Sequence, residues 1–127
     1  HGECDILLSF EELEAARYLD YLNSGSRVII NRFRLSPPSV TAGTDSYPDV
    51  LPIIRKKTEK VKVVDGSALA REIGNSRGVN IVLLGVLSTL LEPEEELWVR
   101  CLSDMIPAKI REVNIEGFKK GRGLNPV

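Results

Sequence analysis

Four polar residues fall where strand-like runs of this 127-residue chain end: Ser9, Asn31, Thr41 and Asp65. In open parallel sheets, ligands bind at the carboxyl ends of strands, near the point where strand order reverses. Side chains of these types could there hydrogen-bond a ligand or a partner chain. Each also has an ordinary use. Ser9 can cap a helix beginning near Phe10, Asp65 with Ser67 can cap the next one, and Asn31 can satisfy loop backbone. For any single residue the ordinary use is the stronger reading, and only their shared edge makes them candidates. The segment Gly74-Asn75-Ser76-Arg77-Gly78-Val79-Asn80 is the most unusual local feature. It precedes a helix whose first N–H groups could face an anion, which makes Asn75, Arg77 and Asn80 candidate ligand or subunit-interface residues. Equally, Asn75 or Ser76 simply caps that helix and Gly78 permits close packing. The segment is no phosphate-binding fingerprint, because neither G-x-G-x-x-G nor a Gly-Lys-Ser/Thr signature is present.

Catalytic residues are not evident. His1 is the one histidine, at a terminus, so histidine-dependent triads and multi-histidine metal sites are excluded. Cys4 and Cys101 stand far apart, read best as two buried small hydrophobes, and cannot supply the four ligands of an iron–sulfur cluster. The acid pair Glu94-Glu95 suits a helix N-terminus better than acid–base chemistry. Lys119, Lys120 and Arg122 form a basic tail without interleaved aromatics, so a solvated helix end is the better reading than a nucleic-acid surface. No metal site and no catalysis are expected of this chain alone.

The elements that must position these residues follow from apolar periodicity. Cys4 to Ser9 reads as a strand covered on both faces. Phe10 to Leu22 turns helical, with Ala15, Tyr18, Leu19 and Leu22 at i, i+3, i+4 and i+7. Asn23-Ser24-Gly25 stops that helix, and Arg27 to Asn31 is a second strand, so the three make a βαβ unit with parallel strands. Arg32 to Pro48 is loop-rich, with a short edge strand over Ser39 to Ala42. Helix resumes around Pro48 and Asp49, carries Ile53 and Ile54 into the core, and needs Pro52 near its first turn. Val61 to Asp65 is a third strand. Ser67 to Ile73 is a helix closed by Gly74, and Val79 to Leu91 is a buried apolar helix. Glu92-Pro93-Glu94-Glu95 starts another, with Pro93 in its first turn and Leu97, Cys101 and Met105 as its buried stripe, Trp98 and Leu102 alongside. Pro107 opens the last helix, with Ile106, Ile110 and Val113 on one face, ending near Gly117 to Gly123.

That order is α/β: a Rossmann-like, three-layer α/β/α arrangement with a mostly parallel sheet and a helical C-terminal extension. Length and an apolar fraction of 43% fit one globular domain over residues 1–127. A net charge of −1 gives no global attraction to nucleic acid or to an anionic membrane. The most apolar stretch is well short of the ~20 residues that span a bilayer, and a cytoplasmic address is expected from the cysteine usage. Core structure begins within a few residues of His1, which leads us to expect that sequence is missing upstream.

The ordered series of motifs resembles the β subunits of indolepyruvate oxidoreductases along essentially the whole chain. It runs Ile6-Leu7-Leu8-Ser9-Phe10-Glu11-Glu12-Leu13-Glu14-Ala15-Ala16-Arg17-Tyr18-Leu19, then Val28-Ile29-Ile30-Asn31, Ser36-Pro37-Pro38-Ser39-Val40 and Tyr47-Pro48-Asp49. Val63-Val64-Asp65, the Gly74 to Asn80 segment, Leu84-Gly85, and Asn114 followed by Gly117-Phe118 complete it. The resemblance implies a γ-type domain of the 2-oxoacid:acceptor oxidoreductases that lacks the family's first strand and glycine-rich turn. It implies no cofactor on this chain and a catalytic partner subunit carrying thiamine diphosphate, Mg and iron–sulfur clusters. Such a complex converts arylpyruvates to aryl-acetyl-coenzyme A and reduces ferredoxin. Without its first strand the fragment is expected to self-associate through exposed sheet edge. The alternatives are a γ subunit acting on pyruvate or branched-chain 2-oxoacids, a stand-alone nucleotide-binding α/β module, or a methyltransferase fragment. The last would need an antiparallel strand pair where Glu92 to Lys120 reads as helix.

Overall fold

The computed structural model describes residues 1–33, 43 and 48–124. The chain divides into two compact units, His1–Val63 and Val64–Val127. The first unit is built on β1 (Ile6–Ser9), α1 (Glu12–Arg17), a 3-10 turn (Leu19–Tyr21), β2 (Arg27–Asn31) and α2 (Leu51–Arg55). The strand β3 (Val61–Val64) completes a three-stranded parallel sheet of order β1-β2-β3. β1 and β2 pair in parallel, Ile6 opposite Arg27 through Ser9 opposite Ile30. This is the βαβ unit expected from the alternation of apolar runs.

Its core is Ala15, Leu22, Val28, Ile30, Val50 and Ile54, with Leu7, Leu13, Leu19 and Val61 packed around them. The unbroken run Val28-Ile29-Ile30 is fully buried, as a strand covered on both faces requires. α1 is shorter than its apolar spacing suggests. Glu11, not Ser9, caps it by accepting from the Glu14 N–H at 2.8 Å, while the Ser9 hydroxyl donates to the Glu11 carbonyl at 2.6 Å. At Tyr18 the helix tightens into the 3-10 turn and leaves the Tyr18 ring exposed. α2 has Pro52 in its first turn, as required, but starts after Pro48 and Asp49. Of the pair expected in the core, Ile54 is buried and Ile53 is 45% exposed. Adjacent positions on a helix point ~100° apart, and so short a helix turns only one of them inward. The expected strand over Ser39 to Ala42 lies outside the described residues.

The second unit is helical: α3 (Gly66–Glu72), α4 (Val79–Ser88), α5 (Glu95–Met105) and α6 (Ala108–Arg122). α3 is capped by Asp65, whose carboxylate accepts from the Ala68 N–H at 2.9 Å. It closes on Gly74 at φ +77°, with Gly74 N–H bonded to Arg71 O and Asn75 N–H to Ala70 O. That pairing is a Schellman motif, and glycine supplies its left-handed residue without strain.

α4 and α6 cross with their backbones in contact. A Cβ on Gly85 would lie 2.1 Å from the Phe118 carbonyl oxygen, and one on Gly121 would lie 1.9 Å from that of Val82. Ser88, buried in α4, donates to Gly85 O at 2.6 Å and accepts from Arg122 Nη1 at 2.9 Å. Lys119, Lys120 and Arg122 form the last turn of α6, the helix end expected of them, with Lys119 and Lys120 exposed and Arg122 half-buried.

α5 contradicts its expected stripe. Leu97 is 47% and Met105 79% exposed, and Cys101 is exposed as well. The inward face is the neighbouring one, where Leu102 is buried and the Trp98 ring packs against Phe118 with centroids 5.9 Å apart. A rotation of one position separates the two patterns. Ile110, expected on the apolar face of α6, is exposed too. Pro93 precedes α5 instead of sitting in its first turn, and its carbonyl accepts from Trp98 Nε1 at 3.1 Å. Cys4 lies just before β1, partly buried, with its thiol donating to the Ile6 carbonyl at 3.2 Å.

Candidate functional site

β1 ends in Ser9 and β2 in Asn31, at the same edge of the sheet. Asn31 is buried and its Nδ2 donates to the Phe10 carbonyl at 3.2 Å, so the turn after β1 is held by the end of β2. The chain leaving β2 then folds back over the start of α1: Phe33 N–H bonds to Asn31 O at 2.8 Å, and Glu12 N–H to Phe33 O at 3.0 Å. Beside this knot lies a cleft of about 420 Å³ lined, among the described residues, by Glu12, Arg32, Leu51 and Val63. Arg32 directly follows β2, Glu12 and Leu51 open α1 and α2, and Val63 is near the end of β3. The cleft therefore sits at the carboxyl edge of the parallel strands, where an α/β sheet exposes its binding crevice.

Glu12 is only 4% exposed, whereas Arg32 is at the surface. Phe10 and Phe33 present exposed rings on the flanking turns. One carboxylate, one guanidinium and apolar walls can hold and orient a polar group. The residues read from sequence contribute unequally. Ser9 and Asn31 shape the edge through backbone contacts, and Thr41 lies outside the described residues. Glu12 and Arg32 were missed, although each stands at a strand–helix turn of the βαβ unit, which is the positional signal that could have found them.

The other candidates belong to the second unit. Asp65 is used as the α3 cap. Asn75 turns inward, its Nδ2 donating to Asn114 Oδ1 at 3.1 Å. The N-cap of α4 is Gly78, without a side-chain cap, so neither Asn75 nor Ser76 performs that role. Asn80, at the surface in the first turn of α4, accepts from the Ile81 N–H at 3.0 Å. Arg77 is exposed and has no ion-pair partner among the described residues. A larger open groove of about 980 Å³ runs past Leu69, Arg111, Glu112, Glu116 and Lys119. Its charges alternate in sign and Lys120 pairs with Glu72 at 3.7 Å, so it concentrates no one chemistry, and the sheet edge is the better candidate despite its smaller volume. Among the described residues, no three metal-ligating side chains converge and no helix is long and apolar enough to cross a membrane.

The sequence model for "pyruvate ferredoxin/flavodoxin oxidoreductase" matches residues 1–124. The chain is 34% identical over 129 residues to indolepyruvate oxidoreductase subunit IorB of Archaeoglobus fulgidus, and 35% identical over 127 residues to that of Thermococcus kodakarensis. Each alignment covers 94% of this chain and 62% of the relative, so the chain spans less than two thirds of those proteins. The γ subunit of a keto/oxoacid ferredoxin oxidoreductase from Geobacter sulfurreducens superposes with a TM-score of 0.66 over 94% of this chain and 63% of that one. At 19% identity that likeness concerns the fold alone.

Proposed function

The chain belongs to the pyruvate ferredoxin/flavodoxin oxidoreductase family, and from that premise we propose that it serves as the accessory subunit of an indolepyruvate ferredoxin oxidoreductase. The observation that carries this reading is similarity to relatives named for that reaction across 94% of the chain. The chemistry of the side chains supports the accessory role. Cys4 and Cys101 lie in different units, and an iron–sulfur cluster needs four thiolates or their equivalent. The catalytic partner is therefore assigned thiamine diphosphate with Mg, the clusters and the coenzyme A-dependent step, which together supply decarboxylation of an arylpyruvate and electron transfer to ferredoxin. A cytoplasmic address goes with that assignment.

In this reading the chain contributes surfaces. Arg77, exposed beside the tied-down Asn75, is the contact we assign to the partner subunit, because a guanidinium can grip a carboxylate with two parallel hydrogen bonds. The sheet-edge cleft, with Arg32 at its mouth, is the place where a ligand's polar group would be held. Co-expression of the full-length subunit with the thiamine-dependent partner tests the assignment. The expected product is a stoichiometric complex whose iron and thiamine diphosphate track the partner, with the accessory subunit alone colourless. A subunit that purifies alone with stoichiometric iron, or never associates with the partner, overturns it.

A further inference from the structure

Residues 55–62, Arg-Lys-Lys-Thr-Glu-Lys-Val-Lys, hold five cations and one acid, although the whole chain sums to −1. The rest of the molecule is thus net acidic, and positive charge is gathered at one place. That place is the turn between α2 and β3, at the amino edge of the sheet and so away from the carboxyl-edge cleft. Arg55, Lys56, Lys57 and Lys60 are exposed and Lys62 is half-exposed. None of the five has an ion-pair partner among the described residues. Cations in the last turn of a helix are favoured by its dipole, which accounts for Arg55 and its neighbours but not for Lys60 and Lys62.

The turn is also fixed. Thr58 is buried at its centre, with Oγ1 donating to Ser26 O at 2.7 Å and accepting from the Lys60 N–H at 3.1 Å. Lys60 O in turn accepts from the Val28 N–H at 2.9 Å, which ties the segment to the central strand. The charges are therefore presented on a pinned frame.

We infer that this basic turn is a docking surface for the acidic face of a small soluble electron-carrier protein, the acceptor of the reaction proposed above, on which this inference rests. Permanent subunit interfaces are rich in apolar area, whereas brief electron-transfer encounters are small and steered by charge. In residues 55–60 every exposed side chain is charged, and Pro52 and Ile53 stand exposed just before them in the chain. No aromatic interrupts residues 55–62, so a stacking platform for single-stranded nucleic acid is missing. A net-acidic remainder also opposes an extended polyanion or an anionic bilayer more than it opposes a compact acidic protein.

The test uses the full-length complex, an acidic bacterial ferredoxin as probe, and the variant Lys56→Glu/Lys57→Glu/Lys60→Glu, with the triple Lys→Gln variant as a milder form should charge reversal impair folding. Binding is measured directly at low and high ionic strength, and turnover is followed with ferredoxin and with a viologen dye. The expected result is a dissociation constant and ferredoxin KM raised about tenfold or more, with a flatter salt dependence and unchanged dye turnover. Unchanged ferredoxin binding and salt dependence overturn the inference. So does a loss confined to single-stranded RNA or to phosphatidylserine vesicles. If the wild-type complex reduces the dye with no 2-oxoacid, the functional reading fails, and the binding measurement still decides the docking surface.

Discussion

The Asn75 side-chain amide donates to Asn114 Oδ1 at 3.1 Å, fastening the loop before α4 to α6 across 39 residues of sequence. Asn114 is itself held, its Nδ2 donating to Ile110 O at 2.8 Å. The loop is thereby stiffened from within while Arg77 stays exposed. Asn75→Ala should cost ~1 kcal/mol through the lost cross-link. Asn114→Ala should cost a similar amount, and the double variant less than the two together. Arg77→Ala should change stability by no more than about 0.5 kcal/mol yet weaken assembly with the partner subunit. Urea unfolding of the variants and pull-down with the partner separate the two roles.

The α4–α6 crossing leaves no room for a methyl group. Gly121→Ala and Gly85→Ala each place a Cβ against a main-chain oxygen, and main chain cannot swing aside as a side chain can. We expect each to cost about 3 kcal/mol or more, at the upper end of overpacking effects. Gly123→Ala, whose nearest neighbour would be 3.4 Å away, is the tolerated control. Thermal denaturation of the three variants gives the comparison.

Thr58→Val keeps the shape of the buried side chain but removes its hydroxyl. Ser26 O and the Lys60 N–H would both lose a partner, at about 1–3 kcal/mol for leaving buried polar groups unsatisfied. Denaturant titration should report that loss, and a neutral result would show that water replaces the hydroxyl.

Cys101 should react with a maleimide reagent in the native protein faster than Cys4, because Cys101 is exposed and Cys4 is partly buried and bonded to Ile6 O. Met105→Ser, on the same exposed stripe, should alter stability by about 0.5 kcal/mol at most. Equal labelling rates for the two thiols, or strong destabilisation by Met105→Ser, would mean that the stripe faces inward after all.

The βαβ unit was legible because Ile6-Leu7-Leu8 and Val28-Ile29-Ile30 are unbroken apolar runs set on either side of a helical spacing, a pattern that favours paired parallel strands. Asp65 and Gly74 were legible for a similar reason, since a cap and a left-handed helix end each select residue types locally. The face of α5 was not. Leu97, Cys101 and Met105 form as regular a stripe as Trp98 and Leu102, and only tertiary packing on Phe118 chooses between them. The cap reading of Asn75 failed because a polar side chain before a helix usually serves that helix, and a partner 39 residues away leaves no local trace. Of the site, its edge was visible in Ser9 and Asn31. Glu12 and Arg32 were hidden by their ordinary roles as a first-turn acid and a loop cation.

The most direct measurement is indolepyruvate-dependent reduction of ferredoxin in the presence of coenzyme A, by the thiamine-dependent partner with and without the full-length accessory subunit. The account predicts that turnover requires both subunits and rises with added accessory subunit to a stoichiometric end point. Full turnover by the partner alone, or none from an assembled complex that reduces ferredoxin with another 2-oxoacid, would contradict it.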